Sequence, residues 1–228
     1  MKLLEKYHSA PVKRKAQFKK SILLAIALFI IFLIITFSVV THGLLDKIDQ
    51  NILQIKRHTF RGLSSHILLA IDDLGLRGAT ATVLIVSAVL IGWKFKTFRP
   101  FNLSVLALLA LNGVVGVAKL SIGRTKPRLH LDLLNTSGLS YPSGHVANAL
   151  ISWGLLAYLL VTYFNYRICS ANLLYPLVGV VTLSVCIVSL ARNTHWFSDL
   201  LGGFVLGGSI LVFIVAMDRF YPSTKQVK

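Results

Sequence analysis

Apolar residues gather into six runs along this chain, near residues 21–41, 72–93, 100–121, 146–164, 173–191 and 198–217. Each is roughly 20 residues long, the length a helix needs to cross a hydrocarbon core about 30 Å thick. The runs predict six membrane-spanning helices. The second opens on Ile71-Asp72-Asp73-Leu74-Gly75. Two carboxylates do not belong deep in lipid, so its lipid-facing part starts near Leu76 and the aspartates are expected to cap its start. Before it, Leu45, Ile48, Ile52 and Ile55 recur at helical spacing, which predicts an interfacial helix within 42–65. In the last run, Gly202-Gly203 and Gly207-Gly208 predict close helix packing.

Composition agrees with this pattern. Of 228 residues, 55% are hydrophobic and 14% charged, whereas soluble domains are about half apolar and a quarter charged. The chain therefore reads as an all-α integral membrane protein: one domain over 21–217, a basic tail over 1–20 and a short tail over 218–228. Residues 21–41 form a run too long and too uniformly apolar for a signal peptide, so a retained helix is expected.

The formal charge of +16 is mostly juxtamembrane, which argues for a lipid surface and against nucleic acid as the partner. Lys2, Lys6, Lys13, Arg14, Lys15, Lys19 and Lys20 precede the first run. Lys94, Lys96, Arg99, Arg167, Arg219, Lys225 and Lys228 fall on the same side once six crossings are drawn. The positive-inside rule then puts both termini in the cytoplasm. It places the 120–145 loop and the 192–198 turn together on the outer face. Cys169 and Cys186 form no Cys-x-x-Cys pair; no zinc site is expected, and both read as small apolar filler.

Three outer-face segments carry candidate chemistry. Lys119-Leu-Ser-Ile-Gly-Arg-Thr-Lys-Pro-Arg128 sets four cations at the end of the third span, where Gly123 and Pro127 oppose further helix. Tyr141-Pro142-Ser143-Gly144-His145 opens the fourth span; its free backbone N–H groups and helix dipole make an anion site with a histidine beside it. Arg192-Asn-Thr-His-Trp-Phe-Ser-Asp199 opens the sixth. There His195 and Asp199 are four apart and share a helical face. A carboxylate on one imidazole nitrogen fixes the tautomer and frees the other nitrogen to attack. A phosphate ester needs these parts: cations and N–H donors for its charge, a nucleophile, and an acid for the departing alcohol.

In this order on one face, the segments resemble the type 2 phosphatidic acid phosphatase (PAP2) superfamily, whose pattern is Lys-x6-Arg-Pro, Pro-Ser-Gly-His and Ser-Arg-x5-His-x3-Asp on a six-helix core. The resemblance covers most of the chain, and its motifs span Lys119 to Asp199. It implies that His195 is the nucleophile that becomes phosphorylated, His145 the general acid and Asp199 the residue that orients the nucleophile. It likewise implies phosphate binding by Lys119, Ser143 and Gly144. The first motif's arginine is Lys126 here, which keeps the charge and loses the planar fork; Arg124 and Arg128 flank it as further candidates. The third motif's arginine position holds Ser189, and Arg192 stands three residues later. Three residues displace a helical side chain by about 60° and 4.5 Å, within reach of a long arginine, so Arg192 is also expected to bind phosphate. Asn148, three after His145, either steadies that histidine or packs.

The expected activity is hydrolysis of a lipid phosphate monoester or pyrophosphate, such as phosphatidic acid, phosphatidylglycerol phosphate or undecaprenyl pyrophosphate, with no metal or cofactor. The alternatives are a lipid phosphotransferase of the same fold and a non-catalytic phospholipid-binding or transport protein. The apolar spans exclude a soluble haloperoxidase with similar motifs. Small size and one domain point to a bacterial plasma membrane, with the site outside the cytoplasm. Trp93, Trp153 and Trp196 lie near span ends or in packing and suit interface anchoring.

Overall fold

The structure is a computed structural model that describes residues 2–55, 62–127, 139–164 and 170–221, with side chains from Arg14 onward. The described residues form eight helices: α1 (Lys2–Val40), α2 (Leu44–Leu53), α3 (Leu63–Asp73), α4 (Arg77–Phe95), α5 (Arg99–Ile122), α6 (Gly144–Tyr163), α7 (Ala171–Ala191) and α8 (Phe197–Phe220). Six are long and apolar enough to span a membrane: α4 to α8, and α1 over Arg14–Val40. These are the six expected spans, with the basic segment before residue 21 continuing α1 as helix.

The region between the first two spans departs from expectation. In place of one interfacial helix over 42–65 there are two helices, α2 and α3, with residues 56–61 outside the described set. Asp72 and Asp73 end α3 and do not cap α4; Leu76 occupies that cap position with no side-chain hydrogen bond. Asp72 is buried and bonded to α7 residues instead. A cap bonds only the few N–H groups beside it, whereas a buried carboxylate is stabilised more by a cationic partner.

Helix ends follow local chemistry. Pro100 lies in the first turn of α5, where a missing N–H costs nothing. Gly123 ends α5 in the left-handed region at φ 64°, as its position after the third span predicts. Ser143 caps α6, its Oγ accepting from the Val146 N–H.

The core centres on α6, which contacts α4, α5, α7 and α8. Leu84, Leu111, Ile151, Leu155, Leu159 and Leu206 are fully buried around it. The outward faces of α1, α5 and α7 expose Ile34, Phe37, Leu109 and Ile187, as a lipid-facing surface requires. The α8 glycines bring α6 close: a Cβ on Gly203 would lie 2.4 Å from the Ser143 carbonyl oxygen. That contact holds the second motif against α8, and it bears out the expected role of those glycines.

At the far end from the histidines, Asp218 of α8 pairs with Arg99 of α5 and accepts a 2.5 Å hydrogen bond from Tyr158 Oη of α6. Arg99 Nη2 also donates to the Asp218 carbonyl at 2.6 Å. Breaking a buried pair typically costs about 3–5 kcal/mol. Arg99 is 24% exposed and retains some solvation, so Asp218→Ala is expected to cost about 2–3 kcal/mol. Thermal unfolding in detergent measures this, and an unshifted transition contradicts it.

Candidate active site

The ends of α5 and α7 and the starts of α4, α6 and α8 meet at one face. They enclose a cavity of about 420 Å³ lined by Gly75, Leu76, Arg77, Lys119, Lys126, Leu139, Gly144, His145, Asn148 and His195. The His145 and His195 rings face each other across it, with centroids 6.3 Å apart and planes at 56°.

His195 stands one residue before the N-cap of α8, and Asp199 sits in the helix's first turn. Asp199 Oδ2 lies 3.4 Å from His195 Nδ1 and accepts from the Trp196 N–H at 3.0 Å. The pair thus meets through helix-cap geometry, and not along a helical face as the four-residue spacing predicts. Asp199 is fully buried, and its Oδ1 accepts from Arg124 Nη1 at 2.8 Å. Its backbone carbonyl accepts from the Ser143 N–H at 2.9 Å, joining the second and third motifs directly.

Arg124 lies behind this pair and does not line the cavity. Its Nη2 donates to Asp49 Oδ2 at 2.7 Å, its Nη1 to Ser198 Oγ at 2.6 Å, and its guanidinium rests 5.1 Å from the Trp196 ring centroid. The expectation that Arg124 binds phosphate therefore gives way to an ion-pair network, because two buried carboxylates claim its terminal nitrogens. Asp49 of α2, 1% exposed, also accepts from the Ser198 N–H and Oγ. Sequence reading missed Asp49; its partners lie 75 and 149 residues away. Asp49→Ala leaves the Ser198 N–H without its acceptor and loosens Arg124 behind Asp199. The expected result is a kcat lowered about 10-fold and about 2 kcal/mol of lost stability. Unchanged kcat and melting temperature would contradict this placement.

Arg192 follows the same logic. It follows the last turn of α7, and its Nη1 donates to Asp72 Oδ2 at 2.6 Å. Ser189, at the position of the family arginine, donates to Asp72 Oδ1 at 3.0 Å. Arg192 does not line the cavity, and its Nη1 is held by the Asp72 carboxylate. Ser143 is fully buried beneath the first turn of α6. Of the remaining candidates, Lys119, Lys126, Gly144 and Asn148 do reach the cavity, whereas Arg128 lies outside the described residues. Asn148 Nδ2 donates to the Gly144 carbonyl at 2.7 Å and steadies the first turn of α6.

Lys119 Nζ donates to the Leu139 carbonyl at 2.7 Å. An isolated bridge pairs Thr125 with Leu139, and Ser140 N–H donates to the Arg124 carbonyl. These bonds tie the two ends of the 120–145 loop together. Trp196 Nε1 donates to the Thr125 carbonyl at 2.8 Å. This tryptophan is 5% exposed and buttresses the loop, in contrast to the interfacial anchor expected. Tyr141 packs on Phe32 of α1, and its O–H donates to Thr36 Oγ1 at 2.8 Å, since the Thr36 proton is directed to the Phe32 carbonyl. Burial pushes the Tyr141 phenol up to about 12, so it remains a neutral donor.

A helical membrane bundle that sets two histidines across a cationic cavity has the architecture of a membrane-embedded phosphatase. A sequence profile of the PAP2 superfamily matches residues 100–221, and the chain belongs to that superfamily. It is similar to phosphatidylglycerophosphatase B of Bacillus subtilis (strain 168), at 28% identity over 197 residues, 85% of this chain and 94% of that protein. Over 103 residues it is 31% identical to a lipid A 1-phosphatase of Porphyromonas gingivalis, a match spanning 45% of this chain and 20% of that longer protein. Its fold is similar to the crystal structure of a transmembrane PAP2 type phosphatidylglycerolphosphate phosphatase from Bacillus subtilis, with a TM-score of 0.70 and 25% identity over 85% of this chain and 94% of that one.

Proposed function

We propose that this chain hydrolyses the phosphate of a membrane lipid through a phosphohistidine, and that phosphatidylglycerol phosphate is its preferred substrate. The observation carrying the mechanism is the pair of imidazoles 6.3 Å apart across one cationic cavity, one of them backed by Asp199. Asp199 holds the proton on His195 Nδ1, which leaves Nε2 as the nucleophile. Nε2 attacks phosphorus, the P–O ester bond breaks, and protonated His145 gives its proton to the leaving oxygen. Water then attacks phosphorus, the P–N bond breaks, and neutral His145 takes the water's proton. Inorganic phosphate leaves and both histidines return to their starting states.

Lys119 and Lys126 neutralise the phosphate, and the N–H groups at the start of α6 donate to its oxygens. The substrate choice draws on the activity named for the relative that this chain matches over 85% of its length. Topology follows the basic residues: α1 and α8 bring their tail-bearing ends together at the face opposite the site, with Phe18 and Phe220 rings 4.3 Å apart. With those basic ends cytoplasmic, the site is extracytoplasmic.

Phosphate release by the purified protein from phosphatidylglycerol phosphate, phosphatidic acid and undecaprenyl pyrophosphate tests this. The expected order places phosphatidylglycerol phosphate first. Release from none of the three overturns the activity, and a higher kcat/KM for another lipid overturns the substrate assignment.

A further inference from the structure

Two arginines of the superfamily pattern are absent, replaced by Lys126 and Ser189. Neither neighbouring guanidinium lines the cavity: Arg124 is bonded to Asp49 and Asp199, and Arg192 to Asp72. Among the described residues, one guanidinium does line the cavity. It belongs to Arg77, at the start of α4.

We infer that Arg77 supplies the forked donor of the phosphate clamp, from a helix that carries none of the three motifs. This inference rests on the phosphatase reading above. Arg77 occupies an unfavourable place by ordinary rules. A cation in a helix's first turn opposes the helix dipole, and arginine on the outer face runs against the positive-inside bias. An anion held between Arg77, Lys119 and Lys126 removes both penalties. No carboxylate among the described residues pairs with Arg77, so its donors are available.

The chain before Arg77 is pinned at three points. Asp72 is bonded to Ser189 and Arg192. The Leu74 carbonyl accepts from Trp153 Nε1 at 2.9 Å. Gly75 lies against the first turn of α6, where a Cβ would come 2.6 Å from the His145 carbonyl oxygen. Two residues later, Arg77 is therefore presented at the cavity wall beside His145. The substitution at Ser189 fits this arrangement: a serine there bonds Asp72, and the Asp72 segment delivers the guanidinium from the other side.

The test compares the full-length wild type with Arg77→Ala and Arg77→Lys on a short-chain phosphatidylglycerol phosphate. Protection from thermal unfolding by inorganic phosphate and by orthovanadate is read separately. A hydrogen bond to a charged group is worth a factor of about 10–100. The alanine variant is expected to lose that factor in kcat/KM and to need correspondingly more phosphate for the same protection. Lysine restores the charge without the fork and recovers only part. Added methylguanidinium is expected to raise the activity of the alanine variant, an effect that a fold defect would not produce. Wild-type kcat/KM and phosphate protection in Arg77→Ala overturn the inference, as does impaired activity that methylguanidinium leaves unchanged. A wild type that is protected by phosphate yet releases it from no lipid counts against the phosphatase reading, and the protection curves still decide the role of Arg77.

Discussion

His195→Ala is expected to lower phosphate release at least about 10⁴-fold, the loss usual when a covalent nucleophile is removed. No neighbouring group substitutes for it, because Asp199 is turned toward Arg124 and Trp196, and His145 lies on the other side of the cavity. The fold is expected to survive, since Asp199 keeps both of those partners and Ser143 remains tied to the Asp199 carbonyl. Near-wild-type melting with abolished turnover is therefore the predicted signature. A radiolabelled phosphoryl group should be trapped on the wild type in an acid-labile, base-stable form and be missing from the variant. Phosphate release at the wild-type rate by His195→Ala would falsify the assignment of the nucleophile.

The second large effect falls on His145 and depends on the leaving group. General acid catalysis contributes about 10²–10⁴-fold, and the need for it grows with the basicity of the departing oxygen. His145→Ala is expected to lose that factor on a lipid monoester, whose leaving group is an alkoxide. On p-nitrophenyl phosphate, or a lipid pyrophosphate whose leaving group is a phosphate, the loss in kcat/KM, which reports transfer to His195 alone, should be much smaller. With the good leaving group, label should also accumulate on His195, because the base for hydrolysis is missing as well. An equal loss of kcat/KM on all three substrates contradicts the acid–base role and leaves His145 as a binding residue.

The different fates of the basic residues explain how far a sequence can be read. Lys119 and Lys126 reach the cavity as the motif spacing predicts. Arg124 and Arg192 carry the same charge in the same segments, yet both are held by carboxylates. Nothing local separates the two groups. Besides Asp199, the carboxylates are Asp49 and Asp72, which sit 75 and 120 residues away in sequence, on short helices between the first two spans. That region was also the least regular in pattern, and one expected helix proved to be two. Arg77 had a signal of its own: a cation at the start of an apolar run. Charge counting registers that residue only as an exception to a topology rule. Its place at the cavity follows from the contacts of Leu74 and Gly75 with α6.

By itself the sequence determined the six spans and the meeting of the two histidine turns at one face. Hydrocarbon thickness sets the length of each span, and successive crossings alternate in direction, so both results follow from run lengths and their order. Tertiary structure alone decided which cations face the cavity and which are spent on carboxylates. That choice turns on distances of about 3 Å between side chains from different helices, and no one-dimensional period encodes them.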